Sequence, residues 1–141
     1  MLINDRDQAR NFFFQVWNKM QLRQPLEPME AIIAGVIDEH PEYHLYLEKP
    51  ASSLEKEFTP EQGKTNPFLH MGMHIALKEQ QATDRPAGIA AVYQSLLVKY
   101  GNTHDVEHSM MECLAETLWL ANRDNRMPDE QKYLQCLQRL K

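Results

Sequence analysis

The stretch NPFLHMGMHIALKEQQ, residues 66–81, decides the fold class, because it joins a helix start to a long helical pattern. Asn66 can cap a helix with its side chain, and Pro67 is favoured at the first helical position. The apolar residues that follow recur at helical spacing on one face and are Phe68, Leu69, Met73, Ile75 and Ala76. We therefore predict a helix from Pro67 to about Gln81.

Similar signals predict helices on both sides of this stretch. The predicted helices run from about Asn4 to Met20, Pro28 to Ile37, Pro41 to Leu47, Asp84 to Gly101, Thr103 to Arg123 and Pro128 to Leu140. Residues 49–66 are instead rich in proline and polar residues and predict one long irregular loop. The predicted fold class is all-α, a compact bundle of six to seven helices that short connections make mostly antiparallel.

The composition is that of a globular protein with one domain. The chain has 141 residues, of which 43% are apolar and 25% charged, so we expect a single helical domain over residues 1–141. Its net charge of −5 disfavours binding to nucleic acid, which requires a basic surface. The start MLINDRDQAR is unlike a signal peptide, and no apolar stretch approaches the roughly 20 residues that span a bilayer. We therefore expect a soluble cytoplasmic protein with no membrane contact.

The two cysteines of the chain are Cys113 and Cys136, and no CxxC motif occurs. In a reducing cytoplasm such a pair more often consists of buried thiols than of a disulfide or zinc ligands. We therefore expect both thiols to be reduced and packed in the core.

The six histidines of the chain all lie in pairs with a spacing of four residues. The pairs are HPEYH (40–44), HMGMH (70–74) and HDVEH (104–108). Six histidines placed at random in a chain of this length would give about 0.2 such pairs. Four residues are about one helical turn, so each pair presents two imidazoles on one side of a helix.

Two of these pairs predict a metal site between helices. A helical wheel places His70 and His74 on the polar flank of their helix, away from its apolar face. In the helix predicted from Thr103 to Arg123, imidazoles and carboxylates form a stripe of His104, His108, Glu112 and Glu116. These side chains are ligands for a divalent transition metal such as Zn, Fe, Mn or Ni, and helical bundles hold metals between facing helices. The predicted ligands are therefore His70, His74, His104, His108 and Glu112, with Glu116 as a further ligand or a supporting group.

The same residues also allow a simpler interpretation. Histidines on a polar flank are usually exposed to solvent, and His40, which precedes a proline, can serve as a cap. Met71, Met73, Met110 and Met111 lie beside the pairs and suggest copper(I), but methionines more often fill a helical core. Glu79 falls among the apolar residues of its helix, so we expect its carboxylate to be paired or functional.

Three functional hypotheses remain open from the residues alone. The first is a metal-binding helical protein, with or without an enzymatic activity. The second is a non-catalytic protein–protein interaction module without a metal, since methionine-rich surfaces adapt to partner helices. The third is a homo-oligomer, because Phe12, Phe14 and Trp17 present more aromatic surface than one helix face can hide. The motifs HExxH and ExxH are absent, and no nucleophile with a neighbouring base is evident.

Four stretches of the sequence, taken together, carry a family resemblance. They are NPFLHMGMHIALKEQ (66–80), DRPAGI (84–89), EHSMMECLAETLW (107–119) and MPDEQKYLQCL (127–137). They resemble a family of small proteins, mostly from proteobacteria, that is called domain of unknown function 1841. The resemblance covers nearly the whole chain and implies a compact helical bacterial protein, with no catalytic residues to carry over. It lends no support to HPEYH, so His40 and His44 are left out of the predicted ligands.

Overall fold

The computed structural model describes residues 6–53 and 66–141, and all regular elements in these ranges are helical. The α-helices are α1 (Arg6–Gln21), α2 (Pro28–Asp38), α3 (His44–Glu48), α4 (Pro50–Ser53), α5 (Pro67–Thr83), α6 (Ile89–Tyr100), α7 (Thr103–Arg123) and α8 (Glu130–Gln138). A 3₁₀ turn, Pro41–Tyr43, precedes α3. The predicted all-α fold class is confirmed. None of the described helices combines the length and the apolar character needed to cross a membrane.

Contacts within the chain group the helices into two compact units. Unit 1 ends at Ile75 and contains α1 to α4 and the first half of α5. Unit 2 is Ala76–Lys141 and contains the second half of α5 and α6 to α8. The boundary therefore falls inside a continuous helix. The single domain over residues 1–141 stays a prediction.

Unit 1 has an apolar core in which α1 packs against α2 and α3. Its buried side chains include Phe13, Val16, Ile33, Ile37, Leu47, Phe68 and Met71. Phe14 and Trp17, which are partly buried, pack against this core. Phe12 is 37% exposed, so most of the aromatic surface that suggested a homo-oligomer is covered within unit 1.

Unit 2 has its own core, in which α6, α7 and α8 contact one another. Buried side chains on these helices include Val92, Leu96, Val106, Met110, Leu114 and Leu137. Helix α6 ends at Tyr100 and is followed by Gly101, whose φ of +88° is a conformation that glycine adopts without strain. Its N–H donates to the carbonyl oxygen of Leu97 at 2.8 Å and closes the last turn.

One helix start agrees with the prediction and one differs from it. Helix α7 begins at Thr103, as predicted, and the preceding Asn102 is its cap, since the Asn102 side-chain oxygen accepts the N–H of Asp105 at 2.9 Å. Helix α6 begins at Ile89, later than predicted, because Asp84 caps a turn instead of a helix. Its carboxylate accepts the N–H groups of Gly88 and Ala90, each at 3.0 Å.

The long irregular loop predicted at residues 49–66 is not irregular throughout. Pro50–Ser53 forms the short helix α4, whose start fits the preference of proline for the first helical turn. The carbonyl oxygen of Ser53 accepts a hydrogen bond from the buried guanidinium of Arg10 at 2.9 Å. The remainder of the predicted loop, residues 54–65, lies outside the described residues.

The prediction of two reduced cysteines is wrong in this structure. Cys113 of α7 and Cys136 of α8 form a disulfide, with their Cα atoms 5.8 Å apart. The prediction relied on the redox state expected of a cytoplasmic protein. The packing of α8 on α7 instead brings the two side chains within bonding distance.

Candidate metal centre

His40 lies directly after α2, where the chain turns towards α3. Its ring is buried, and its Nδ1 lies 2.8 Å from the carbonyl oxygen of Val36. Because a carbonyl oxygen only accepts hydrogen bonds, this contact assigns a proton to Nδ1. An imidazole that is held through one nitrogen in this way is oriented to bind a metal ion through the other.

His70 and His74 lie one turn apart on α5, whose start is fixed by Asn66. The side-chain oxygen of Asn66 accepts the N–H groups of Phe68 at 3.0 Å and Leu69 at 3.2 Å, as predicted. His74 is fully buried and His70 is half-buried. The helical wheel placed both rings on a polar flank, and for His74 this is wrong.

The burial of α5 explains why the wheel misplaced His74. Met71, Ala76 and Leu77 point in widely separated directions around the helix at about 100° per residue, and all three are buried, as is His74, which lies between Met71 and Leu77 on the wheel. A wheel assumes one buried face, whereas this helix is enclosed over a wide arc. A polar residue on such a helix is therefore inside the protein even when it lies off the most apolar face.

Three imidazole rings meet in unit 1, and we call them the histidine triad. They belong to His40, His70 and His74. The ring centroids lie 5.0 Å apart for His40 and His70, 4.7 Å for His40 and His74, and 5.0 Å for His70 and His74. His40, which the sequence analysis left out of the predicted ligands, thus lies beside both members of the HMGMH pair. His44 lies elsewhere, with its Nε2 2.9 Å from the carbonyl oxygen of Ile37 and its ring against Trp17.

Tyr43 covers one side of the histidine triad. Its ring stacks on that of His40 at 5.4 Å, with the two planes 4° apart, and meets the ring of His70 edge-on at 6.0 Å. Burial, followed by the neighbouring Glu42 and Tyr46, raises the pKa of Tyr43 above its ordinary value. The phenol is therefore neutral at physiological pH and adds no charge beside the imidazoles.

Histidine and carboxylate side chains in the described ranges lie close enough together to hold a metal ion. In unit 1, His40 and His74 present ring nitrogens within 4.8 Å of each other, and a carboxylate oxygen of Glu39 lies within the same distance of a ring nitrogen of His74. Two nitrogens that bind one zinc ion at about 2.1 Å are at most about 4.2 Å apart. The separation of the His40 and His74 nitrogens is therefore close to the one that a shared metal ion requires.

His104 and His108 form a second histidine pair, on α7 in unit 2. Their ring centroids lie 4.1 Å apart, and each ring presents a nitrogen within 4.8 Å of the other. His104 is half-buried, whereas His108 is exposed, as are Glu112 and Glu116, the carboxylates of the predicted stripe. That this stripe faces the histidines of α5 stays a prediction.

Glu107, between the two histidines of HDVEH, is a buried carboxylate that the sequence analysis missed. Its side chain has no solvent exposure, and its Oε2 accepts hydrogen bonds from Lys78 Nζ at 3.0 Å and Tyr93 Oη at 2.5 Å. The carboxylate predicted among apolar residues was Glu79, which is half-buried. The sequence did indicate that Glu107 is buried, because a helical wheel of α7 places it on the same face as the apolar Leu114.

The methionines beside the histidine pairs are mostly core residues. Met71 lies in the core of unit 1, and Met110 and Met111 are buried in unit 2. Their thioethers fill apolar space, which is the usual role of methionine in helical proteins. The interpretation of these residues as core is therefore favoured over copper(I) ligation.

Comparison with known proteins gives a match at the level of the family. A family model described as "Domain of unknown function (DUF1841)" matches residues 5–139. No curated protein and no solved structure matches the chain. The resemblance seen in the four sequence stretches is thereby confirmed, because the match covers nearly the whole chain. The chain belongs to the family called domain of unknown function 1841.

Proposed function

We propose that this protein binds a divalent transition metal ion through histidine side chains. The observation that carries the proposal is the histidine triad, in which His40 and His74 present ring nitrogens within 4.8 Å of each other. The third ring, that of His70, lies 5.0 Å from both. Because the turn after α2 and helix α5 already hold the rings in place, little side-chain freedom is lost when an ion binds.

The proposed ligands differ between the two units. In unit 1 they are His40 and His74, supplemented by Glu39 or His70. In unit 2 they are the residues predicted from the sequence, namely His104, His108, Glu112 and Glu116. The half-buried and exposed positions of the unit 2 side chains allow an ion to enter from solvent.

The donor atoms favour some metals over others. Imidazole nitrogen suits Zn, Fe and Ni, whereas Mn prefers sites with more oxygen ligands. The triad offers three imidazoles, so among the four predicted metals we expect Zn, Fe or Ni in unit 1. Zinc is the simplest first choice for reconstitution, because it has no redox chemistry of its own and accepts nitrogen and oxygen ligands alike.

Elemental analysis tests the proposal directly. The full chain, purified without a polyhistidine tag, is expected to contain a stoichiometric transition metal or to take it up after dialysis. An ion that binds only the folded state stabilises it, by about 2.7 kcal/mol when its concentration is one hundred times Kd. The melting temperature should therefore rise on addition of Zn, Fe or Ni. Fewer than about 0.1 ions per chain, together with no thermal shift, would contradict the proposal.

Matched variants separate the triad from other histidines. His74→Gln should lower the metal content or the affinity of unit 1, because a proposed ligand is removed from the buried pair. His44→Gln is the control, since His44 lies in the same unit but contacts Trp17 and the Ile37 carbonyl group instead. Equal metal affinity of the two variants and the wild type would show that the triad is not the site.

A second candidate function is a protein–protein interaction module, with homo-oligomerisation as one form of it. The observation that favours it is the exposure of large apolar side chains in unit 2, where Val98 is 88%, Trp119 60% and Met127 84% exposed. Light scattering of the purified protein tests for self-association. Isolation of a stoichiometric partner protein would favour the module, and a metal-free monomer that binds no partner would contradict it.

The cytoplasmic location predicted from the sequence is part of this proposal. Disulfides are rare in the cytoplasm, so the Cys113–Cys136 bond gives a reason to test this point. Alkylation of free thiols in freshly lysed cells, followed by mass spectrometry, would give the redox state. Two alkylated cysteines are expected for a cytoplasmic protein, and an intact disulfide would favour an oxidising compartment.

A further inference from the structure

We propose that HDVEH, residues 104–108, is a hydrolytic metal site in which His104 and His108 bind the ion and Glu107 acts as the general base. This inference rests on the proposed metal binding and adds a reaction to it. The order of residues is HxxEH, the reverse of HExxH, and both orders occur in zinc peptidases with two histidine ligands and a catalytic glutamate. The chemistry requires the motif to lie on a helix, and α7 spans Thr103–Arg123.

The helix brings the three residues of the motif close together along one part of α7. His104 and His108 are one turn apart, their ring centroids are 4.1 Å apart, and each offers a nitrogen within 4.8 Å of the other. Glu107 follows His104 by three residues, and residues at this spacing are neighbours on a helix, with Cβ atoms about 5–6 Å apart. The exposed His108 leaves the site open to a substrate.

The surroundings of Glu107 favour a role for its carboxylate. Lys78 of α5 and Tyr93 of α6 both donate to Oε2, so two helices of unit 2 hold this carboxylate oxygen in position. A carboxylate without solvent exposure is expensive to bury, and the nearby ammonium group offsets part of that cost.

The proposed reaction is the hydrolysis of an ester or amide. A water molecule on the metal ion attacks the carbonyl carbon, and Glu107 takes one proton from that water. The bond from the carbonyl carbon to the alcohol oxygen or the amine nitrogen then breaks, and the proton passes from Glu107 to the leaving group. One water is consumed, an acid and an alcohol or amine are formed, and Glu107 returns to its starting state.

The experiment uses the zinc-loaded full chain with two probes, 4-nitrophenyl acetate and a mixture of internally quenched peptides. At least one probe should be hydrolysed faster than by the zinc-free chain. Glu107→Gln should keep its zinc and lose about 10²- to 10⁴-fold in kcat, the usual contribution of a general base. His104→Gln combined with His108→Gln should lose zinc from unit 2 and the activity with it. Glu130→Gln, an exposed carboxylate on α8, is the control and should match the wild type.

The outcomes separate this inference from the proposed metal binding. A wild-type chain that binds zinc but hydrolyses neither probe overturns the inference and leaves metal binding in place. The same holds if Glu107→Gln retains full activity, or if it loses its zinc and is therefore a ligand. A chain that binds no metal overturns both. If Glu107→Gln does not fold, Glu107→Asp is used in its place, because it keeps the charge but moves the carboxylate. Activity at least 10-fold lower with zinc retained then supports the inference, and unchanged activity overturns it.

Discussion

At the scale of single residues, Tyr133 shows how a buried polar group connects two helices of unit 2. Its hydroxyl donates to the side-chain oxygen of Gln80 on α5 at 2.7 Å, while its ring is buried on α8. Burial raises the pKa of this phenol well above its ordinary value of 10.0, and the hydrogen bond to Gln80 offsets only part of that effect. The folded protein therefore keeps Tyr133 neutral at pH values at which the unfolded chain would lose the proton.

We predict that Tyr133→Phe lowers the free energy of unfolding by about 1 kcal/mol at pH 7, because one buried hydrogen bond is lost. Above about pH 10 the unfolded wild type releases the Tyr133 proton, whereas the folded wild type holds it. The wild type then loses stability as the pH rises. Tyr133→Phe has no phenol at this position, so its free energy of unfolding does not fall for this reason. Urea denaturation at pH 7 and at pH 10.5 measures both effects. An identical loss of stability in the two proteins between these pH values would contradict the prediction.

The residues of the candidate site were predicted only in part. The spacing of His70, His74, His104 and His108 was visible, because a one-turn repeat depends on sequence alone. The contact of His40 with the other two rings was not, because it depends on how the turn after α2 packs against α5. Glu107 was missed for a different reason: it does not share the four-residue spacing that connects His104, His108 and Glu112 along α7.

At the scale of helices, the start of α5 is the best-defined local signal in the chain. The Asn66 side-chain oxygen accepts hydrogen bonds from the N–H groups of Phe68 and Leu69. Both groups lie in the first turn of α5, where a helix provides no carbonyl acceptor for them. We predict that Asn66→Ala lowers the free energy of unfolding by about 1 kcal/mol. Asn66→Asp should have a smaller effect, because aspartate also caps helices. Chemical denaturation measures the difference, and equal stability of the alanine variant and the wild type would contradict a capping role.

A second prediction at this scale concerns the disulfide between α7 and α8. Cys113 and Cys136 are 23 residues apart in sequence, so the bond shortens the free chain of the unfolded state. For a loop of this length the expected stabilisation is about 3 kcal/mol. We therefore predict that a reducing agent lowers the midpoint of urea denaturation of the wild type. The double variant Cys113→Ser with Cys136→Ser is the control, and its midpoint should not respond to the reducing agent. A wild-type midpoint that is equal with and without reducing agent would contradict the prediction.

The helices themselves were more predictable than their ends. Apolar periodicity spans many residues, so it located α1, α2, α5, α7 and α8 from the sequence. The start of α6 was placed too early, because Asp84 and Pro86 are equally suited to a turn, and Gly88 with a φ of +101° extends that turn to Ile89. The short helix α4 was missed, since four residues carry too little periodicity to be recognised.

At the scale of the whole molecule, α5 is the element that belongs to both compact units. It runs without interruption from Pro67 to Thr83, and the boundary between the units falls between Ile75 and Ala76. Helix formation is cooperative, so loss of one half of α5 removes hydrogen bonds that support the other half. This continuity favours the single domain that the length of the chain predicts.

We predict that the wild type unfolds in one thermal transition, with a calorimetric enthalpy equal to its van't Hoff enthalpy, as expected for a single cooperative domain. Ala76→Pro should interrupt α5 at the boundary, because proline lacks the N–H donor and clashes with the preceding turn at a cost of about 3 kcal/mol. In this variant the two units should unfold in separate transitions. Ala76→Gly is the matched control, since it weakens the helix by only about 1 kcal/mol and should keep one transition at a lower melting temperature. Two resolved transitions in the wild type would instead show that the units fold independently and that the single-domain prediction is wrong.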